Sequence, residues 1–185
     1  MRPSGARYTE GMGIYTFRQR KDDFFKTDPA SPTEAADFGG LRYFPVAPAL
    51  TFTLKLEPFA APERLELVTS VGDVQPYLRY GRVRFTVGGE SCTLTLFIPE
   101  ADGEALSEHF FVPFKDATNG RETYGVGRYV EPVRLGDGNK VQLDFNTAYN
   151  PYCAYSESYR CPLPPAENRL GVAIRAGEKA YKVGG

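Results

Sequence analysis

At 185 residues the chain is long enough to bury a core without disulfide staples and short for two domains. A formal net charge of −1 excludes a general electrostatic attraction to nucleic acid or to an anionic membrane surface. No run of about 18 apolar residues is present to span a bilayer, no apolar segment follows Met1-Arg2-Pro3-Ser4-Gly5 to act as a secretion signal, and the three cysteines fit a reducing compartment better than a disulfide scaffold. The expectation is a soluble, cytoplasmic, single domain over residues 1–185, of which residues 1–13 could be poorly ordered. Tryptophan is absent, so 12 tyrosines and 13 phenylalanines supply the aromatic bulk of the core and of any pocket.

The first expected element is an amphipathic helix over Ile14–Lys26. Ile14, Phe17, Lys21, Phe24 and Phe25 share one stripe at helical spacing. Asp28-Pro29 and Ser31-Pro32 then break it. From Leu50 the period changes to two: Phe52, Leu54 and Leu56 point one way, Thr51, Thr53, Lys55 and Glu57 the other. Leu65 and Leu67 repeat the pattern. Val83, Phe85 and Val87 run into Gly88-Gly89, a hairpin signal, and Cys92, Leu94, Leu96 and Ile98 follow with Thr93 and Thr95 outside. Phe110, Val112 and Phe114 form a further strand that leads to Asn119-Gly120, and a strand over about Glu122–Val130 comes next. Asp137-Gly138 makes a third turn before Val141, Leu143 and Phe145, and Leu170, Val172 and Ile174 alternate near the end. Three turn-coded hairpins predict a mainly β fold: an antiparallel barrel or sandwich of about eight strands with one N-terminal amphipathic helix.

Polar and reactive residues crowd into Phe114–Tyr129 and Leu143–Asn168. The blocks Phe38-Gly39-Gly40-Leu41-Arg42-Tyr43-Phe44-Pro45-Val46, Thr118-Asn119-Gly120-Arg121-Glu122-Thr123-Tyr124 and Gly127-Arg128-Tyr129 stand out. So do Asp144-Phe145-Asn146, Asn150-Pro151, Cys153-Ala154-Tyr155 and Cys161-Pro162-Leu163-Pro164-Pro165. In these blocks the chain, from about Phe17 onward, resembles domain-of-unknown-function family 1684 of bacterial and archaeal proteins. The resemblance implies one domain and carries no catalytic roles.

If Glu122–Val130 is a regular strand, Glu122, Tyr124, Val126, Arg128 and Val130 share a face, and Thr123, Gly125, Gly127 and Tyr129 the other. Glycines cannot fill a core, so the Arg128 face is the expected inner one. A glycine face turned inward would instead leave room for a ligand. A buried guanidinium needs a carboxylate. Glu122 is six positions away, about 20 Å along a strand, so Asp116 or Asp144 is at least as suitable. The pair reads either as a structural ion pair or as an arginine anchoring an anionic ligand. Asp144, Asn146 and Asn150 suit turns and caps, with Asn150 as N-cap and Pro151 at the first helical position, or pocket hydrogen bonding. Tyr149, Tyr152, Tyr155 and Tyr159, three or four apart, suit packing of a loop or an aromatic ligand wall.

A single histidine, His109, excludes multi-histidine metal chemistry, and no G-x-S-x-G elbow or P-loop accompanies it. His109 reads as an ordinary strand-end residue. No metal and no cofactor is expected. Cys153 and Cys161 would be about 12 Å apart along a helix, but they could meet if the segment folds back; separate buried thiols are the plainer reading. The leading functional expectation is a small-molecule-binding domain. Its candidate residues are Asp116, Asn119, Glu122, Tyr124, Arg128, Asp144, Asn146, Asn150 and Tyr155. An enzyme using Asp116, Glu122 or Asp144 as acid or base and an interaction domain without a pocket are the alternatives.

Overall fold

In the computed structural model, which describes residues 13–34, 36, 38–100, 110–136 and 138–181, the amphipathic stripe near the N-terminus forms helix α1 (Ile14–Thr27). Phe17, Lys21 and Phe25 are buried, so a cation lies in the apolar stripe. Asp28, in extended conformation before Pro29, ends the helix and donates its N–H to Phe24 O at 3.0 Å. The ring of Phe25 docks the helix onto Phe38, Tyr152 and Tyr155, with centroids 5.7, 6.1 and 4.9 Å away.

Among the described residues eight strands follow: β1 (Thr51–Lys55), β2 (Glu57–Val68), β3 (Val74–Val87), β4 (Glu90–Pro99), β5 (Val112–Phe114), β6 (Arg128–Val130), β7 (Val133–Arg134) and β8 (Lys140–Asp144). Every ladder between them is antiparallel, in three sheets ordered β1-β8-β7, β2-β3-β4 and β5-β6. Gly88 (φ 58°) and Gly89 (φ 88°) close the β3–β4 hairpin as both central residues of a type I′ turn require. The sheets do not close into a barrel, which leaves a sandwich-like arrangement. Its main core holds Val83, Phe85, Leu94 and Leu96 of β3 and β4 against Val141 and Leu143 of β8, with Val112, Phe114 and Val130 alongside. A second cluster gathers Leu67, Tyr77, Phe97, Phe111, Tyr129 and Cys161 on the other face of β4. No helix among the described residues is long and apolar enough to cross a membrane.

One expected strand is shortened and another is absent. Of the stretch from Glu122, only Arg128–Val130 is strand; residues 118–127 are turns, and Asn119-Gly120 lies inside them rather than closing a two-residue hairpin. Leu170 and Ile174 are buried, but their segment is irregular and forms no ladder with β5: it meets the chain just after β5 through an isolated Lys115–Arg169 bridge and single bonds such as the Ala117 N–H to Val172 O at 2.9 Å. Alternating burial alone does not need a ladder. Thr95 also departs from expectation: it is buried because Asn168 covers it, accepting its N–H at 2.8 Å and donating to its carbonyl at 2.9 Å. Asp137 of the third turn signal and His109 lie outside the described residues, as do residues 1–12 of the N-terminal lead.

Gly127 is the physical reason the strand starts so late. Its φ of 126° is incompatible with an extended strand, and a Cβ there would stand 2.6 Å from Pro164 Cγ and 2.8 Å from Phe114 O. Gly127→Ala is expected to lower stability by about 3 kcal/mol, through backbone strain and overpacking together, read as a fall in the urea midpoint at unchanged slope.

Candidate functional site

The turns after β5 are tied by their own side chains. Asp116 Oδ1 accepts from the Thr118 N–H (2.8 Å), the Thr118 hydroxyl (2.6 Å) and the Ile174 N–H (3.1 Å). Asn119 Oδ1 accepts the Asp116 N–H at 2.6 Å, while its amide donates to Tyr124 O at 2.7 Å and Thr123 Oγ1 at 3.1 Å. Into this knot points Arg128, fully buried. Its Nη2 donates to Asp116 Oδ2 (2.9 Å) and Ile174 O (2.8 Å), and its Nη1 to Ala176 O (2.5 Å) and Glu178 O (3.0 Å). Burial pulls the guanidinium below its ordinary pKa, and the Asp116 carboxylate opposes that. Asp144 is not the partner, and Glu122, at the surface, pairs with Arg175 at 2.9 Å.

A second buried charge belongs to Glu178, the residue whose carbonyl Arg128 Nη1 meets. The Glu178 carboxylate accepts from Lys21 Nζ at 2.5 Å, the Asn150 N–H at 2.8 Å and the Tyr155 hydroxyl at 2.7 Å. Burial, reinforced by Glu178, holds the Tyr155 phenol well above its usual pKa. Asn150 does not act as a helix cap: Pro151 takes the N-cap position of the short 3-10 turn Tyr152–Ala154, and the Asn150 amide donates to Lys179 O at 2.8 Å. Asp144 and Asn146 build a third network. Asp144 Oδ1 accepts from Thr51 Oγ1 (2.9 Å) and the Asn146 N–H (2.9 Å), and Asn146 exchanges hydrogen bonds with both backbone groups of Ala47 (2.8 and 3.0 Å).

Open space lies outside these networks. A cleft of about 900 Å³ is lined by Glu122, Tyr124, Cys153, Tyr155 and Tyr181, with the cations Arg42, Arg121 and Lys179 on its walls. A second, of about 650 Å³, shares Tyr124, Gly125, Val126, Cys153 and Glu157 with the first and extends to Ser70, Lys115 and Arg169. Of the nominated residues, Glu122, Tyr124 and Tyr155 line the first cleft; Asp116, Asn119, Arg128, Asp144, Asn146 and Asn150 lie behind or away from it. Cys153 and Cys161 are not separate: the segment folds back, and Cys161 Sγ accepts the Cys153 N–H at 3.3 Å. Among the described residues no group of three His, Cys, Asp or Glu could hold a metal ion.

Sequence reasoning overlooked Lys21, Asn168 and Glu178. Lys21 carried a signal, since it sits in an otherwise apolar helical stripe; Asn168 and Glu178 had none at short range.

Fold and networks define a mainly β, sandwich-like architecture built around a buried arginine clamp. The family model described as "Protein of unknown function (DUF1684)" matches residues 36–179, and the chain belongs to that family. The match begins after α1, later than the resemblance from Phe17 suggested. Among solved structures, the chain is similar to the solution NMR structure of the uncharacterized protein from gene locus rrnAC0354 of Haloarcula marismortui. That similarity has a TM-score of 0.70 and 37% identity, over 90% of this chain and 91% of the other. No curated protein matches the chain.

Lys21→Met is expected to lower stability by about 3 kcal/mol, because it strands the Glu178 carboxylate away from water. Adding Glu178→Gln to Lys21→Met should restore at least half of that loss, since the neutral amide oxygen still accepts. Urea unfolding of the two single variants and the double variant reads the coupling directly.

Proposed function

We propose that the chain is a small-molecule-binding domain whose ligand occupies the cleft beside Tyr124. The cleft's volume of about 900 Å³ is the observation that carries the reading, since ligand sites run to roughly 300–1,000 Å³. Tyr124, Tyr155 and Tyr181 offer faces and edges for a planar group, and Arg42, Arg121 and Lys179 outnumber the acids Glu122 and Glu157 on the walls. Glu122 is already engaged by Arg175. An anionic ligand with a ring suits this lining. Carboxylate acid–base catalysis is less well supported. Asp116 is saturated by Arg128, Thr118 and Ile174, and Asp144, one oxygen of which is held by Thr51 and Asn146, does not line the cleft. The same reading places the protein in the cytoplasm, where its three free cysteines would stay reduced.

Native mass spectrometry of protein purified from its own cells should show a retained small molecule. Arg42→Ala with Arg121→Ala, both exposed positions, should weaken its retention about tenfold per cation lost without lowering Tm. A ligand retained equally by this variant would place it elsewhere. If no mass is retained and none of a panel of ring-bearing carboxylates and phosphates raises Tm, the binding reading fails.

A further inference from the structure

We propose that Cys153 and Cys161 form a redox-active thiol pair: Cys153 is the thiol that attacks a hydroperoxide arriving through the cleft and is oxidised by it, and Cys161 is the thiol that then closes a disulfide. The inference does not depend on the ligand proposed above. The geometry gives the two sulfurs different roles. Cys153 is half-buried and lies where the two clefts meet, so a small oxidant reaches it from either side. Cys161 is buried beneath it and in hydrogen-bonding contact with it.

The surroundings favour a thiolate at Cys153. The Tyr124 hydroxyl points at its Sγ from 3.9 Å, and Cys161 Sγ lies alongside, 3.3 Å from the Cys153 N–H nitrogen. Hydrogen bonding, from Cys161 above all, lowers the Cys153 pKa to about 7 against the opposing effect of burial, while the same contact and burial push Cys161 up. Tyr129, Tyr152 and Tyr159 also pack near the pair; Glu157, Lys115 and Arg169 are charges on the walls of the smaller cleft, and Arg42, Arg121, Glu122 and Lys179 on those of the larger. A thiol whose pKa is near ambient pH is the best attacking nucleophile. Cys92, buried and raised by burial, is an internal control.

The chemistry balances in two steps. The Cys153 thiolate attacks one peroxide oxygen; an S–O bond forms, the O–O bond breaks, and the departing alkoxide or hydroxide takes a proton from solvent, leaving a sulfenic acid. The Cys161 sulfur, losing its proton, then attacks the Cys153 sulfur; the S–S bond forms and the S–O bond breaks, releasing water. Two thiols and one hydroperoxide become one disulfide, one alcohol or water, and one further water. The peroxide gains the two electrons.

Peptide mass spectrometry after timed iodoacetamide treatment of the wild-type protein is the first test. Cys153 should alkylate at least tenfold faster than Cys92 at pH 7, with a rate that rises through a midpoint near 7. Tyr124→Phe should move that midpoint upward. Stoichiometric hydrogen peroxide should then lower the intact mass by about 2 Da through a Cys153–Cys161 bond reversible by dithiothreitol. In Cys161→Ser the same treatment should leave a dimedone-trapped sulfenic acid on Cys153. Equal alkylation of Cys153 and Cys92, or peroxide consumption that leaves both Cys153 and Cys161 as thiols in the wild type, would overturn the proposal.

Discussion

The turn after β5 and the segment from Ile174 to Glu178 are held together by one desolvated guanidinium. Arg128 sits where no water reaches, and a charge there is tolerable only if nearly every donor finds an acceptor. Four acceptors are supplied: one carboxylate oxygen of Asp116 and the carbonyls of Ile174, Ala176 and Glu178. The planar fork of arginine reaches all four at once, which the point charge of a lysine could not do. The irregular segment 174–178 has no ladder for these carbonyls, so the guanidinium takes the place that a neighbouring strand would otherwise hold. A side chain here performs the work of secondary structure.

Glu178 joins this clamp to the helix. Its carbonyl accepts from Arg128 while its carboxylate accepts from Lys21. One residue thus receives a buried cation on its backbone and another on its side chain. α1 precedes the part of the chain matched by the family model, yet its buried lysine ends on a glutamate within that part. Arg18 adds a bond to Phe44 O at 3.0 Å. The stability of such a pair comes less from attraction than from the penalty of separating it, since either partner left alone would be an uncompensated charge in the core.

Much of this was legible in the sequence, for reasons that differ element by element. α1 and the β3–β4 hairpin follow from local period and from two glycines at positions needing positive φ. The buried, carboxylate-paired state of Arg128 also followed, since a guanidinium on an inward face admits few alternatives, and Asp116 was among its expected partners. The route to that conclusion was nevertheless faulty. It assumed a strand from Glu122, whereas Gly127 breaks the parity and Glu122 turns to the surface. Glu178 and Asn168 were invisible because their partners are remote in sequence: Lys21 is 157 positions from Glu178, and Thr95 is 73 from Asn168. Periodicity reports which face a residue takes and carries nothing about what a polar group meets there.

The same distinction governs how the dense polar motifs are to be understood. Asp116, Asn119, Arg128 and Asn146 look like a binding constellation in sequence, yet their hydrogen bonds are directed to the protein's own backbone and to one another's or neighbouring side chains. Their bearing on the clefts is indirect. Asn119 holds the carbonyl of Tyr124, whose ring stands at the wall shared by both clefts, and Asn150 holds the carbonyl of Lys179, which lines the larger one. Those walls are loops, and a loop offers a defined surface only when anchored from behind. The buried networks supply that anchoring, and they leave the exposed side chains of the same loops, among them Arg42, Arg121 and Glu157, largely free of structural duty. The exposed side chains of these loops can therefore be exchanged while the clamp that shapes the loops stays the same.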